Sequence, residues 1–203
     1  MKNQQGVYFL VGYLLVGQNN MNFIDLFIKN YFSLVRTAGL TETMYILSNI
    51  FDVTIYSSII FICFIILIYL LRGKRYAELF AITILSTGVV VYLLKLFFNV
   101  TRPDGGVVSA FGQSFPSYHA SISTVFFILF IYIFKPLLDF KNRSITLFSR
   151  FLLQLVCLSM IFVVSFSRVY LGVHWLSDVL GGVILGLIIV YSSIMFFKTR
   201  RFL

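Results

Sequence analysis

Three short polar segments contain the side chains of this sequence that are best suited to chemistry. They are KLFFNVTRP at 95–103, FPSYHAS at 115–121 and SRVYLGVHWLSD at 167–178, and they hold both histidines of the chain. The third segment is the most specific, because His174 and Asp178 stand four residues apart, a separation that brings two side chains to one face of a helix. A carboxylate bonded to Nδ1–H fixes the imidazole tautomer and leaves Nε2 free as a nucleophile.

Cationic side chains accompany the histidines. Lys95 and Arg102 in the first segment and Arg168 in the third are residue types that bind phosphate oxygens, a guanidinium through two parallel bonds and an ammonium as a point charge. In the second segment, Ser117 is predicted to cap a helix whose free N–H groups favour an anion. His119 lies in the first turn of that helix, where it is placed to act as a general acid. Together these residue types indicate phosphoryl transfer.

Each segment taken alone also has a plainer explanation. Basic residues at the ends of membrane segments often extend toward lipid headgroups, a single interfacial histidine is often structural, and a His–Asp pair can simply cap a helix. A metal site is a further alternative, but two histidines and few acids make a poor ligand set, so we expect neither a metal nor a cofactor. The plain explanations fail jointly, because ionisable groups beside membrane segments are costly and these three segments hold most of the charge predicted for one membrane face.

The composition indicates a membrane protein. The chain has 203 residues, of which 60% are hydrophobic and 11% charged, against roughly 45–50% apolar and about 25% charged in soluble domains. A water-soluble fold of this size cannot cover so much apolar surface, so we predict one membrane domain over 1–203. The net charge of +9 is spread over short loops, which favours anionic lipid headgroups over nucleic acid as its partner.

Apolar stretches of membrane-spanning length predict an all-α bundle of six transmembrane helices. The hydrocarbon core of a bilayer needs about 17–25 apolar residues, and a shorter first stretch is interpreted as a weak span. The six predicted spans are 6–17, 53–71, 79–94, 118–134, 151–167 and 179–197.

The distribution of Lys and Arg predicts the orientation of this bundle in the cell membrane. With a cytoplasmic N-terminus, five of the sixteen Lys and Arg residues fall outside, in agreement with the positive-inside rule. All three polar segments then lie on the outer face. This agreement supports the six-span prediction because the spans were chosen without reference to the motifs.

The segment 22–48 alternates apolar and polar residues at helical spacing. It predicts one or two interfacial helices on the outer membrane surface, which serve either as a lid over the substrate or as a structural connector. The residues expected to face lipid are Phe23, Leu26, Phe27, Phe32 and Val35, and those expected to face water are Asp25, Lys29 and Arg36.

The order and spacing of the motifs resemble those of a known family. The pattern K-x6-R-P, then P-S-x-H, then S-R-x5-H-x3-D resembles the type 2 phosphatidic acid phosphatase (PAP2) superfamily. That superfamily includes membrane lipid phosphatases, soluble acid phosphatases and vanadium haloperoxidases. The six-span layout is similar to the bacterial membrane branch, which disfavours a haloperoxidase.

The resemblance implies a role for each motif residue. His174 attacks phosphorus and forms a phosphohistidine, and Asp178 orients His174. His119 protonates the leaving oxygen and later helps to activate water. The residues implied to hold the phosphate oxygens are Lys95, Arg102, Ser117 and Arg168.

Tyr118 is the departure from the family pattern, which usually has glycine at this position. Glycine allows a backbone amide to approach phosphate closely, so the aromatic side chain of Tyr118 must point away from the anion. We expect Tyr118 to line the lipid entrance or to bond the substrate headgroup, with its amide still available to phosphate.

The expected function is metal-independent hydrolysis of a lipid phosphate or diphosphate at the outer face, with undecaprenyl diphosphate as the first candidate. Phosphatidylglycerophosphate, phosphatidate and lipid A phosphate are the next candidates. Transfer of the phosphoryl group to a second lipid uses the same residues, and a lipid transporter or binding protein with a degenerate site is the non-enzymatic alternative. The bilayer and the lipid substrate are the expected partners, and the sequence leaves the oligomeric state open.

Overall fold

The computed structural model of the protein describes residues 22–49 and 55–199, and regular structure within these ranges is entirely helical. The all-α class predicted from the sequence is therefore confirmed. The helices, with a short 3-10 helix at Lys135–Leu138 after the fifth, are α1 (Phe23–Val35), α2 (Ala38–Asn49), α3 (Ile55–Arg72), α4 (Lys74–Phe98), α5 (Tyr118–Phe134), α6 (Arg143–Tyr170) and α7 (Leu176–Thr199).

Four of these helices, α4 to α7, are long and apolar enough to cross a membrane when α5 is taken with its 3-10 extension. Only 17% to 39% of their apolar windows is buried within the protein, so the remaining apolar surface must face lipid. The apolar part of α3, Ser58–Arg72, is shorter, and the predicted span 6–17 lies outside the described residues. The protein is thus a multi-pass membrane protein with four candidate spans in its described part, and the predicted total of six is not established.

Helix α5 is the centre of the bundle, with contacts to α4, α6 and α7. Its closest neighbour is α7, and two glycines allow this approach. A Cβ atom added at Gly182 would lie 2.7 Å from the carbonyl oxygen of Ser117, and one at Gly186 would lie 2.8 Å from the Ser121 oxygen and 2.8 Å from the Thr124 Cβ atom. The two helices therefore meet backbone to backbone, as small residues permit in membrane proteins.

Replacing Gly186 with alanine should destabilise the bundle, because the new methyl group overlaps the α5 backbone and forces the helices apart. We expect a loss of about 1–3 kcal/mol in the free energy of unfolding, measured by thermal unfolding in detergent. Gly88 of α4 is the matched control, since an added Cβ there meets nothing within 4 Å. Gly88→Ala should be neutral or stabilising by up to about 1 kcal/mol through helix propensity, and equal effects of the two variants would contradict this packing.

The amphipathic segment forms two helices, and its polar side faces the protein. Asp25 is 7% exposed; its carboxylate accepts bonds from the Ser177 N–H at 3.0 Å and the Ser177 hydroxyl at 2.7 Å. Asp25 therefore satisfies a free N–H in the first turn of α7, where a negative charge is also favoured by the helix dipole. The expectation that Asp25 faces water was wrong.

The junction between α1 and α2 is fixed to the end of α6. The Arg36 guanidinium donates to the Tyr170 carbonyl at 2.8 Å and to the Gly105 carbonyl at 3.1 Å, and Phe32 packs edge-on against Phe166 and Tyr170. Arg36 was thus wrongly assigned to water, and Phe32 to lipid. Amphipathic spacing separates the two faces of a helix, but a protein surface that offers carbonyl acceptors binds the polar face. The large apolar side chains of α1 that remain exposed are Phe23, Ile24, Phe27, Tyr31, Leu34 and Val35.

Candidate active site

One cavity of about 490 Å³ gathers residues from all three polar segments. The C-terminal ends of α4 and α6 and the N-terminal ends of α5 and α7 meet there, and α2 and the loop between α4 and α5 complete its wall. The side chains that line it are Tyr45, Asn49, Lys95, Arg102, Val108, Ser109, Ala110, Phe111, Tyr118, His119, Arg168 and His174. Among the residues that the structure describes, no group of three or more His, Cys, Asp or Glu side chains is arranged to hold a metal ion.

The Asp178 carboxylate lies next to His174 because it caps the first turn of α7. His174 precedes α7, which begins at Leu176, so the two side chains do not share a helix face as the four-residue spacing predicted. Asp178 is the third residue of α7, and its Oδ2 reaches back to accept the N–H of Trp175 at 2.8 Å, as the acid of a capping box does. The same oxygen lies 3.3 Å from His174 Nδ1. The expected pairing is present, and it arises from the cap.

Arg102 determines the tautomer of His174. Its NH1 atom lies 3.2 Å from His174 Nε2, and a guanidinium can only donate hydrogen bonds. Nε2 must therefore be the unprotonated nitrogen, and Nδ1 carries the hydrogen that faces Asp178. The lone pair on Nε2 is the electron pair that a nucleophilic histidine needs.

The surroundings of His174 keep its imidazole neutral. Burial, and then the positive charges of Arg102, Arg168 and Lys95 with a contribution from His119, holds the pKa of His174 well below its ordinary value. A neutral imidazole at neutral pH is the reactive form of a nucleophilic histidine. The cations that would bind phosphate thus also favour the neutral form of His174.

Replacing Arg102 with glutamine removes the positive charge nearest to His174 Nε2, so the pKa of His174 should rise toward its ordinary value. A histidine nucleophile acts in its neutral form, and the acid limb of a kcat/KM profile reports ionisations of the free enzyme. We expect that limb to move to higher pH in Arg102→Gln, whatever the loss in rate.

The control for this pH profile is Arg143→Gln. Arg143 is exposed at the first turn of α6, about 37 Å along the helix from Arg168 at 1.5 Å per residue. This variant should keep the wild-type profile. An acid limb in Arg102→Gln that stays in place or moves to lower pH would contradict the electrostatic role given to Arg102.

Two of the predicted phosphate-binding cations also hold the loop between α4 and α5. Arg102 donates from Nε to the Gly112 carbonyl at 3.0 Å and from NH2 to the Phe111 carbonyl at 3.1 Å, and from NH1 to Val173 at 2.8 Å. Lys95 donates to the carbonyls of Gln113 at 2.6 Å and Ser114 at 3.0 Å. These bonds use two of the three ammonium hydrogens of Lys95 and, together with the bond from NH1 to His174 Nε2, four of the five guanidinium hydrogens of Arg102. Both cations are thereby oriented before a phosphate arrives.

Helix α2 holds the third cation. The buried Arg168 donates from NH1 to the Ser48 hydroxyl, and Tyr45 and Asn49 of the same helix line the cavity. Helix α2 is therefore part of the cavity wall, and the choice between a lid and a structural connector for the segment 22–48 stays a prediction.

The second polar segment reaches the cavity through His119 and Tyr118. His119 is 6% exposed, and the Tyr118 ring stands edge-on to its imidazole at 5.9 Å. Among the described residues other than glycine, Asn99 alone has a positive φ, so Tyr118 needs no glycine-like backbone conformation. Its side chain lines the cavity wall, and its contact with a lipid entrance or a headgroup stays a prediction.

Ser117 occupies the predicted cap position of α5, but its side chain makes no capping bond. Its N–H donates to the Asp178 carbonyl at 3.0 Å, which joins the start of α5 to the first turn of α7. The Ser117 hydroxyl is buried and has no hydrogen-bond partner among the described residues, and it is not part of the cavity lining. The structure therefore brings Ser117 next to the site through its backbone.

Ser114 is the site residue that the sequence did not reveal. It is fully buried, and its hydroxyl donates to Asp178 Oδ2 and lies 3.3 Å from His174 Nδ1. A serine two positions before Pro116 carries no signal that distinguishes it from Ser109 in the same loop. Its role becomes visible only when the loop is placed against α7.

Comparison with known proteins agrees with this geometry. The family model of the PAP2 superfamily matches residues 76–202. The solved structure of a transmembrane PAP2-type phosphatidylglycerolphosphate phosphatase from Bacillus subtilis has a TM-score of 0.79 at 22% identity, over 97% of this chain and 95% of that one. The structure of LpxE from Aquifex aeolicus has a TM-score of 0.63 at 19% identity, over 86% and 99%. A search of curated proteins gave no match.

The chain belongs to the PAP2 superfamily, since the family model covers more than half of it. It is a membrane phosphatase of the PAP2 type. The family resemblance and the enzyme class predicted from the three motifs are both confirmed.

Proposed function

We propose that this protein hydrolyses a lipid phosphate or diphosphate without a metal ion, through a phosphohistidine on His174. The observation that carries the proposal is the state of His174, whose unprotonated Nε2 is held beside Arg102 while Nδ1 faces Asp178. Structural cations in a membrane protein do not need a neutral, oriented imidazole among them. A histidine that attacks phosphorus must be both neutral and oriented.

The reaction follows from the positions of these groups. Nε2 of His174 attacks phosphorus as the bond to the leaving oxygen breaks, and His119 gives that oxygen a proton. Water then attacks the phosphohistidine, His119 takes up the proton, and inorganic phosphate leaves with His174 restored. Lys95, Arg102 and Arg168 stabilise the charge on the transferring group.

Two further residues of the second segment have proposed roles in binding the substrate. The buried Ser117 hydroxyl, which has no hydrogen-bond partner among the described residues, is proposed as an additional donor to a phosphate oxygen, because a buried hydroxyl without a partner is costly. Tyr118 contacts the part of the lipid next to the phosphate, since its ring forms the cavity wall beside His119.

Among lipids, we propose undecaprenyl diphosphate as the first substrate to test. Three cations line the cavity, and a terminal lipid diphosphate carries up to three negative charges to neutralise them. Phosphatidylglycerophosphate, after which the Bacillus subtilis phosphatase is named, is the next candidate, followed by phosphatidate and lipid A phosphate. Phe111, 90% exposed at the cavity wall, offers an apolar contact for the lipid chain.

Phosphate release from this panel of four lipids by purified protein in detergent tests the proposal. Release should continue in excess EDTA, because no step uses a metal. His174→Ala should remove turnover, and Asp178→Asn should lower kcat by about 10⁴-fold, as the loss of a carboxylate that orients a catalytic histidine does elsewhere. Arg143→Gln serves as the control and should release phosphate at the wild-type rate.

Two results would overturn parts of this proposal. Full turnover by His174→Ala would exclude the phosphohistidine, and a requirement for divalent metal would exclude the metal-independent reaction. A new phospholipid in place of free phosphate would identify phosphoryl transfer between lipids. Lipid binding without turnover by the wild-type protein would favour a transporter or binding protein.

We also propose that the cavity opens on the outer face of the cell membrane. The opposite end of the bundle carries Arg72, Lys74 and Arg75 near one helix junction and Arg143 near another. Basic residues near span ends remain on the cytoplasmic side. That end is therefore assigned to the cytoplasm, and the cavity end to the outside.

A membrane-impermeant maleimide applied to intact cells tests this orientation. In a background carrying Cys63→Ser and Cys157→Ser, the variant Phe111→Cys should be labelled, because Phe111 is exposed at the cavity end. Lys141→Cys at the opposite end should be labelled only after the cells are opened. The reverse pattern would place the cavity in the cytoplasm.

A further inference from the structure

Ser114 contacts both partners of the nucleophilic pair although it lies in none of the three motif segments. Its hydroxyl donates to Asp178 Oδ2, and its oxygen lies 3.3 Å from His174 Nδ1. The residue is fully buried, so water does not compete for these contacts. One hydroxyl group thus forms a three-membered cluster with the carboxylate and the imidazole.

The backbone of Ser114 is fixed on both sides. Its N–H donates to the Val100 carbonyl at 2.7 Å, and its carbonyl accepts from Lys95 Nζ at 3.0 Å. The side chain is therefore presented to Asp178 from a loop that cannot shift without breaking a bond to Lys95. The same peptide connects a phosphate-binding cation to the nucleophile.

Every hydrogen-bond donor of the cluster faces an acceptor within it. Asp178 Oδ2 faces three donors, namely the Ser114 hydroxyl, the Trp175 N–H at 2.8 Å and the Nδ1–H of His174. Nδ1–H in turn has two acceptors, since the Ser114 oxygen is as close to it as the carboxylate. An imidazole held by two acceptors on one nitrogen and by Arg102 on the other has little freedom to rotate.

We infer that Ser114 is a positioning residue that locks the Asp178 carboxylate and the His174 ring in the orientation needed for attack on phosphorus. The inference rests on the proposed phosphohistidine function for its kinetic consequence. Without the hydroxyl, Asp178 loses a donor and Nδ1–H loses an acceptor. The ring then samples orientations in which Nε2 does not point into the cavity.

A kinetic comparison of three variants tests this role. Ser114→Ala should lower kcat by about tenfold, the effect of one hydrogen bond to a charged group. KM and the inhibition constant of inorganic phosphate should stay within about twofold, because the cations that bind phosphate are unchanged. Ser114→Thr keeps the hydroxyl and should recover most of the lost kcat.

The matched control is Ser123→Ala. Ser123 is also a fully buried serine, but its hydroxyl donates to the Ala120 carbonyl of its own helix at 3.2 Å. This variant removes the same atom from the interior without touching the site and should keep wild-type kcat. Equal kcat in Ser114→Ala and Ser123→Ala would overturn the inference.

Imidazole ¹⁵N spectra give a test that does not require turnover. The chain has two histidines, so selective labelling yields two rings, and His119→Gln assigns them. In the wild type, His174 should carry its hydrogen on Nδ1 with slow solvent exchange. In Ser114→Ala, the Nδ1–H form should lose population or exchange faster, and Ser123→Ala should match the wild type.

The two tests separate failure of the inference from failure of the proposed function. If the wild type releases phosphate from no lipid in the panel, the proposed function fails, and the spectra still decide whether Ser114 fixes the imidazole. If the wild type is active but the His174 spectrum is the same in Ser114→Ala as in the wild type, Ser114 is not a positioning residue.

Discussion

The carboxylate of Asp178 is the interaction on which the site depends. It closes the first turn of α7 through Trp175, faces Nδ1–H of His174, and places a negative charge near Lys95 and Arg102. Cations buried together in a membrane protein repel one another unless an anion lies among them. The Asp178 carboxylate that caps α7 is also this anion.

The position of this carboxylate depends in turn on how closely α5 and α7 approach. Gly182 and Gly186 allow backbone contact, and the Ser117 N–H bonds directly to the Asp178 carbonyl. The start of α5, which carries His119, is thereby held against the start of α7, which carries Asp178. A packing feature inside the membrane region thus determines the separation of His119 from the His174–Asp178 pair.

The sequence predicted which side chains come together at the site better than it predicted their supporting contacts. Lys95, Arg102, His119, Arg168 and His174 were each identified from local spacing, and all five line one cavity. Their convergence was predictable because the ends of neighbouring membrane helices meet at one face of a bundle. The span count was less secure, since only four helices of the described part meet the length and composition of a membrane span.

The supporting contacts were not predictable because their partners are far apart in the chain. Ser48 bonds Arg168 across 120 residues, Ser114 bonds Asp178 across 64, and the Asp25–Ser177 contact spans 152. Helical periodicity gives the faces of α1 and α2 but does not say which face meets the protein. Here the polar face does, because it carries the groups that cap α7 and bind the carbonyls at the end of α6.

The central claim is that His174 carries the phosphoryl group during turnover. Rapid acid-free quenching of the protein with lipid substrate labelled in its terminal phosphate, followed by peptide mapping, tests it most directly. The phosphohistidine mechanism predicts a base-stable, acid-labile phosphate on the peptide that contains His174, and none on that peptide in His174→Ala. Steady turnover with no phosphate on His174 at any time point, or with the label on another residue, would contradict it.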